Sequence, residues 1–353
     1  MSAQSGSESE TTKVIQSAHH TAAVWWLSCL LPEATKFQVN QVPIPPQTPG
    51  VYNVLVVAGN LSAFNSDMIH VLIEYWTGAI DPSKLAPKDR KVGGGGWDHV
   101  IFTPGPFDYS KGTVCFGDKF ARELQRHHGE EKFTVLMPGQ TDTLFLTGPS
   151  VRFVGAPCWP SSDAGDIYKC AAVYELPDKY KTDLDAKLGP GVATESEYYD
   201  AWVGDIKIAM ANRCYLGEAT ARTRLNNDIA TIVSALRTLP FHFRQQETRI
   251  VVTYGCPDQQ LFCDHDSDSR APMDQFRGVF ALPKQLYDYL DGQVDWWIVG
   301  ATCDKPRARM GKNIKVCSNQ YIRSDTGVKD GFQEPFSGMM KFRKPMTAAS
   351  EVD

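Results

Sequence analysis

The sequence predicts a mainly β protein, an antiparallel β-sandwich with a few inserted helices. Short runs of β-branched and aromatic residues, separated by Gly, Pro, Asp and Asn, recur through the middle of the chain. Helical periodicity is confined to a few segments. A doubly wound α/β fold would instead alternate helices with strands, so the sandwich is the favoured interpretation.

One β-rich body with two tails and a connector is the predicted domain organisation. Residues 1–20 are predicted to form a flexible polar arm, because Met1–Thr12 is rich in Ser, Glu and Gln and has little apolar surface to bury. Residues 21–50 hold an apolar segment followed by a proline-rich connector. The body then covers residues 51–334, and residues 335–353 form a C-terminal tail.

The predicted strands follow one another with turn residues between them. Phe133–Met137, Thr143–Thr147 and Val151–Val154 indicate a three-stranded meander. Ile69–Trp76 alternates apolar residues, which favours a strand, and a helix beginning at Ser66 is the competing interpretation. The other predicted strands are Val51–Val57, Trp97–Phe102, Ile167–Leu176, Ile206–Cys214, Arg249–Cys256, Phe276–Leu282, Val294–Thr302 and Ile314–Ile322.

Three segments are predicted to be helical. Glu218–Leu239 places its apolar residues on one stripe at helical spacing, and Pro240 ends it. Asp118–His128 begins at a capping aspartate and stops before a glycine, and Pro283–Leu290 has proline in its first turn.

Composition and charge exclude several classes of protein. The 353 residues include 36 Lys and Arg against 41 Asp and Glu, a net charge of −5, which argues against a protein that coats nucleic acid with its whole surface. The nine cysteines are odd in number and widely spaced, so reduced thiols are expected. Ala22–Leu31 is too short to span a bilayer and lacks the features of a secretory signal, so no membrane association is expected.

The densest group of potential metal ligands lies between Cys263 and Asp268. Asp264, Asp266 and Asp268 have the spacing that opens an EF-hand loop, but Ser and Gln stand where that loop needs Gly and Glu. An exposed acidic loop is therefore the favoured interpretation. A weak calcium site at subunit interfaces is the alternative, and no other cofactor is expected.

Histidines and glycines give no predicted catalytic residue. Adjacent residues on a helix point about 100° apart, so neither His19–His20 nor His127–His128 forms a two-ligand face by itself. His70 lies in an apolar run and is interpreted as a core histidine. Gly93–Gly96 is not followed by the Lys and Ser or Thr of a phosphate-binding loop, which leaves a turn.

The most basic stretch is a predicted loop between two strands. An ordinary solvated loop is the favoured interpretation, and contact with nucleic-acid phosphates or with a neighbouring subunit is the alternative. No accompanying aromatic motif predicts base-specific recognition. The basic residues are Lys305, Arg307, Arg309, Lys312 and Lys315.

The polar arm, the connector Val42–Gly50 and the β-rich body with aromatic loops resemble the coat proteins of small icosahedral viruses, which have a jelly-roll body. The resemblance implies a structural capsid protein that self-assembles into a large homo-oligomer, resides in the virion after assembly in the host cytoplasm, and touches genomic nucleic acid through phosphates. One departure is the acidic arm, because such proteins commonly carry a basic one.

A self-assembling shell protein without catalytic activity is thus the leading expectation. Aromatic residues in loops, such as Trp159, suit subunit interfaces. Two alternatives stay open. One is a cytosolic metal-dependent hydrolase that uses the acidic loop 263–268 with a distant histidine. The other is a protein that binds phosphate backbones through the basic loop 305–315.

Overall fold

Two β-sheets, each rich in parallel strands, form the centre of the protein in a computed structural model. The described residues are 12–28, 30, 37, 39–42, 44–62, 66–80, 95–105, 108, 114–128, 132–137, 143–159, 178–194, 197–198, 201, 218–237, 247–257, 286, 289–300, 307–319, 321–322, 331–332 and 340–343.

The strands and helices are numbered here in chain order. The strands are β1 (Thr12–Ile15), β2 (Thr21–Leu27), β3 (Val51–Ala58), β4 (His99–Thr103), β5 (Phe133–Val135), β6 (Thr143–Leu146), β7 (Val151–Gly155), β8 (Thr248–Thr253), β9 (Trp296–Val299), β10 (Arg307–Met310), β11 (Ile314–Cys317), β12 (Tyr321–Ile322), β13 (Gly331–Phe332) and β14 (Met340–Arg343). The α-helices are α1 (Asp67–Thr77), α2 (Val114–His127), α3 (Asp178–Leu188) and α4 (Glu218–Arg237), and a short 3₁₀ helix covers Val39–Gln41.

Among the described residues, sheet A has seven strands in the order β1-β6-β7-β8-β9-β11-β10, and sheet B has five in the order β14-β2-β3-β4-β5. Within sheet B, β2 to β5 are mutually parallel, and only β14 is antiparallel. Sheet A combines parallel pairs with the antiparallel pairs β6–β7 and β10–β11. Parallel neighbours need crossover connections, and α1, α2 and α4 lie within such connections.

The two sheets pack face to face, with helices against their outer faces. Between the sheets lies an apolar layer that includes Val54 and Val56 of β3 and Ile250 and Val252 of β8. A second cluster joins the outer face of sheet B to α1 and α2, and a third joins sheet A to α4. Both faces of β3 are therefore buried, and its sequence is a continuous apolar run rather than an alternating one.

The prediction of an antiparallel β-sandwich is wrong. The protein is an α/β structure with mostly parallel strands in mixed sheets, covered by helices. The predicted meander is also divided, because β5 belongs to sheet B whereas β6 and β7 pair in sheet A. Continuous apolar runs did not distinguish a strand of a sandwich from a doubly buried parallel strand.

Helix α1 occupies the segment in which alternation favoured a strand. Ser66 caps it, since its hydroxyl accepts a hydrogen bond from the N–H of Met68 (3.3 Å), and Gly78 closes it with φ of 77°. The fully buried side chains recur three and four residues apart and contact sheet B; they are Ile69, Leu72, Ile73 and Trp76. The competing helical interpretation was the correct one.

The segments outside the predicted body contribute strands to both sheets. β1 lies within the expected arm, yet it pairs in parallel with β6 at the edge of sheet A. β2 is an inner strand of sheet B, and β14, from the expected tail, covers its edge. Among the described residues, no helix is long and apolar enough to cross a membrane.

Gly300, just after β9, lies where sheet A approaches sheet B closely. A Cβ atom added there would overlap the carbonyl group of Ala58 at the end of β3. The Ser28 hydroxyl, just after β2, donates to the Gly300 carbonyl oxygen (2.8 Å) and ties the same point together. The spacing of the two sheets at this edge thus requires glycine.

Gly300→Ala is expected to lower the free energy of unfolding by more than about 3 kcal/mol, at the upper end for overpacking, because the clash is with backbone. Urea unfolding measures this. Gly50→Ala is the matched control, because an added Cβ would meet nothing within 4 Å. Only the positive φ of 77° opposes this substitution, and it should lower the free energy of unfolding by about 1–2 kcal/mol. Equal losses in the two variants would contradict the close approach of the sheets.

Candidate functional site

Three histidines from two helices converge on one surface point. His70 of α1 and His128, just after α2, are half-buried, and His127 at the end of α2 is exposed. His70 Nδ1 and His128 Nε2 lie 2.8 Å apart in a hydrogen bond. One potential ligand nitrogen from each histidine lies within 4.8 Å of the others. We refer to these residues as the histidine triad.

Packing of α1 and α2 on sheet B brings the triad together. Ile69, next to His70, is fully buried against the sheet. Leu124 of α2 is buried in the same cluster, and its carbonyl oxygen accepts from the N–H of His128 (3.1 Å), which extends the last helical turn. The His128 ring also meets Phe133 of β5 edge-on, at a centroid distance of 6.0 Å. Two of the three rings are thus positioned by the core beneath them.

The spacing of the triad suits a tetrahedral transition-metal ion. Imidazole nitrogens bind zinc at about 2.0–2.1 Å, which places two ligands of one ion about 3.3 Å apart. The His70–His128 separation of 2.8 Å would widen only slightly if a metal replaced the shared proton. Three imidazoles are a ligand set that Zn²⁺ and related ions accept, and Ca²⁺ does not favour it.

Sequence reasoning missed this cluster. The adjacent pair His127–His128 was set aside for lack of a two-ligand face, and His70 was interpreted as a core residue. The third ligand comes from another helix, more than fifty positions earlier in the chain. Interpreting residues 66–77 as a helix would have placed His70 next to the buried Ile69 on a partly exposed turn. That interpretation was the sequence signal that could have indicated a surface role for His70.

A second network lies at the carboxyl ends of β3, β4 and β8, the edge where open α/β sheets bind ligands. The fully buried Asp108 accepts N–H groups from the loops after both β3 and β4: Gly105 (2.6 Å), Asn60 (2.9 Å) and Ser62 (3.0 Å). The amide of Asn60, whose φ is 54°, donates to the Tyr254 hydroxyl just after β8 (3.1 Å). The network therefore joins loops from both sheets.

Burial raises the pKa of Asp108 to about 7, against the opposing effect of its backbone N–H donors. Both carboxyl oxygens already accept hydrogen bonds from the loops they hold. Asp108 therefore holds the loops after β3 and β4 together. Of the two groups, the histidine triad is the one with exposed ligand atoms.

Cys158 gives no nucleophile at this edge. Burial, and then the neighbouring Asp228 carboxylate, raise the pKa of the Cys158 thiol well above its usual value. Asp228 also accepts the backbone N–H of Cys158 (2.9 Å). A protonated, fully buried thiol is unreactive.

Most of the predicted basic loop is a β-hairpin. Residues 307–317, which we call the basic hairpin, comprise β10, a turn at Gly311 and β11 at the edge of sheet A. Arg307, Arg309, Lys312 and Lys315 are all exposed. Lys305 lies outside the described residues, as do Asp264, Asp266 and Asp268 of the predicted metal site.

No protein-family model and no curated protein matches the chain. Among solved structures, the phosphopantetheinyl hydrolase (PptH) from Mycobacterium tuberculosis aligns over 85% of this chain and 89% of its own, with 12% identity and a TM-score of 0.47. A second crystal structure aligns over 85% of this chain and 90% of its own, with 11% identity and a TM-score of 0.35. These similarities are too weak to bear on activity.

The resemblance to viral coat proteins is wrong. A jelly roll is built from antiparallel sheets, whereas sheet B is parallel from β2 to β5 and helices cover both sheets. The capsid function and the virion location that the resemblance implied are withdrawn with it.

The Asp108 network gives a pH-dependent expectation. Because the pKa in the folded state is raised from 3.8 to about 7, the stability from protonated Asp108 is complete below about pH 4 and is lost as the pH rises through about 7. Asp108→Asn does not titrate, and its amide N–H₂ faces N–H donors, which costs about 1–3 kcal/mol.

The difference in unfolding free energy between the natural protein and Asp108→Asn should therefore be largest near pH 4 and should narrow toward about pH 8. Urea unfolding at intervals across this range measures it. A difference that stays constant or widens with pH would contradict the raised pKa.

Proposed function

We propose that this protein is a metal-dependent hydrolase whose metal ion is held by the histidine triad. The observation that carries the proposal is the convergence of three imidazole ligand atoms within 4.8 Å on the surface of two packed helices. The reaction class is the one that the sequence left open as an alternative. The ligands, however, are His70, His127 and His128 instead of the acidic loop.

The ligand number supports a catalytic role over a purely structural one. Structural zinc sites are closed by four protein ligands, whereas catalytic sites use three and keep one position for water or substrate. His127 is exposed, so an ion bound here would meet solvent. A bound divalent ion lowers the pKa of its water to about 7 and so supplies hydroxide for attack on an ester or amide.

The surroundings of the triad also favour ordered binding. His70 is anchored by the buried turn of α1 and His128 by the last turn of α2 and Phe133, so two ligands need little rearrangement. His127 contacts both neighbouring rings edge-on, at 5.3 Å from His70 and 4.9 Å from His128. Its exposed ring is free of the core and can turn toward the ion.

The purified protein is expected to bind one equivalent of Zn²⁺ or Co²⁺ through the triad. A saturating ion at about 100 times its Kd would raise the unfolding free energy by about 2.7 kcal/mol. Calorimetry gives the stoichiometry, and the visible spectrum of the Co²⁺ form reports tetrahedral nitrogen ligation. Acidification should release the ion, because protons compete for the imidazole nitrogens.

His127→Ala, which removes an exposed ring, and His70→Gln, which retains most of the side-chain volume, should each weaken binding at least about tenfold. His20→Ala is the matched control, because His20 is an exposed histidine away from the triad. Equal binding by all three variants would sink the assignment of the site.

The Zn²⁺-, Mn²⁺- or Co²⁺-loaded protein is expected to hydrolyse activated esters. Nitrophenyl acetate and nitrophenyl phosphate distinguish carboxylic from phosphoric ester substrates, and release of nitrophenol is the measurement. Removal of the ion with a chelator, or His127→Ala, should lower the rate at least about tenfold. Stoichiometric metal binding with no metal-dependent hydrolysis of either ester would leave a metal site and reject the hydrolase.

A further inference from the structure

The basic hairpin carries like charges directly opposite each other. In the β10–β11 register, Arg309 lies opposite Lys315, and both are exposed. Such like-charged cross-strand pairs destabilise a sheet. Residues 307–319 contain no acidic residue, and neither Arg309 nor Lys315 forms an ion pair with any described residue. The Asp291 carboxylate accepts hydrogen bonds from the N–H groups of Lys312 (3.1 Å) and Asn313 (2.9 Å) at the turn. The positive charge that lacks an acidic partner in the described part of the chain is therefore concentrated on the strands, at Arg309 and Lys315.

Aromatic rings hold part of this charge in place. The register puts Arg307, Arg309 and Lys315 on one face of the hairpin, opposite the face that Met310 and Ile314 bury against α4's cluster. The Arg307 guanidinium lies over the Trp26 ring of β2, 5.9 Å from its centroid. The Lys315 ammonium lies over Trp296 of β9 at 4.6 Å. These contacts fix two cations before any ligand arrives.

The neighbouring edge of sheet B borders the same surface. Trp296 meets Phe342 of β14 edge-on at 6.0 Å, so β14 borders the face of the hairpin that bears the cations. Phe342 is buried between the sheets, and Trp296 is half-buried beneath Lys315. The flank that the cations occupy is therefore the exposed face of the basic hairpin above Trp296.

We propose that this flank binds the phosphate backbone of a nucleic acid. Exposed cations that lack acidic partners neutralise backbone phosphates, and this contribution supplies essentially all of the affinity in sequence-independent binding. The bound phosphates would supply the negative charge that Arg309 and Lys315 lack. Base specificity is not expected, because the contacts available are with the backbone.

The flank does not suit a membrane surface. Basic surfaces are attracted to anionic lipids, and stable membrane binding usually adds exposed apolar side chains that enter the acyl region. The large apolar residues that are exposed within the described part of the chain are Val14, Ile44, Met68, Leu188 and Val192, and none belongs to the basic hairpin. Phosphate recognition without insertion fits a nucleic-acid strand better.

Charged side chains on an edge strand also prevent sheet-to-sheet aggregation. That role alone would be met by charges of either sign, without cations placed over indole rings. When the charge is removed, nucleic-acid binding predicts a loss of affinity, whereas protection of the edge predicts aggregation. The proposal is independent of the metal site, since the hairpin belongs to sheet A and the triad to helices on sheet B.

Fluorescence anisotropy with a labelled 20-nucleotide oligouridylate tests the proposal. Binding is expected at about 50 mM salt, with a log–log salt slope of about −0.7 for each phosphate neutralised. The double variant Arg309→Gln/Lys315→Gln should bind at least about tenfold more weakly and reduce the magnitude of the slope by about 1.4. Both residues are exposed, so circular dichroism should be unchanged.

Lys181→Gln/Lys187→Gln is the matched control, because it removes two exposed positive charges from α3 and should leave binding unchanged. Any of the following outcomes would overturn the proposal. They are no binding at low salt, equal loss in both double variants, or a hairpin variant that aggregates without losing affinity. Stronger binding to phosphatidylglycerol vesicles than to the oligonucleotide would assign the surface to lipid and reject it as well.

Discussion

Both sheets are covered on both faces, and this double burial constrains the rest of the structure. Charged groups inside the layers persist only where they are paired. Glu247 shows this at the start of β8, since its carboxylate accepts from the buried Arg152 (2.7 Å) and Arg249 (3.3 Å). Chemistry that needs solvent must therefore lie on covering helices, on edge strands or in loops at the strand ends. The histidine triad and the basic hairpin both obey that rule.

The sequence was sufficient for locating most described strands but not for arranging them. Val51–Val57, Arg249–Cys256 and Val294–Thr302 overlap β3, β8 and β9 closely. Their direction could not be deduced, because a run buried on both faces has no alternation to reveal its neighbours. The decisive error was at residues 69–76, where apolar residues two apart hid a helix, and without α1 the parallel connection from β3 to β4 was invisible.

The candidate sites differ in how far sequence could reach them. Four of the five basic residues formed a compact group in sequence and remain one as a hairpin. The triad needed the packing of α1 against α2, and a local pattern cannot report a contact between residues 70 and 128. Asp108 gave no signal at all, since an isolated aspartate in a loop is ordinary until three backbone donors surround it.

The late position of β14 in the chain has a consequence for synthesis of the protein. Val24 of β2 pairs on one side with Val54 of β3, which follows soon after it, and on the other with Met340 of β14. As the ribosome extends the chain, β2 to β5 can assemble in order, but the outer edge of β2 keeps its hydrogen-bonding groups open until β14 emerges. An unpaired apolar edge of this kind recruits foreign strands. During most of its synthesis, the nascent protein therefore exposes the unpaired edge of β2. Chaperone binding or rapid translation would limit aggregation through that edge.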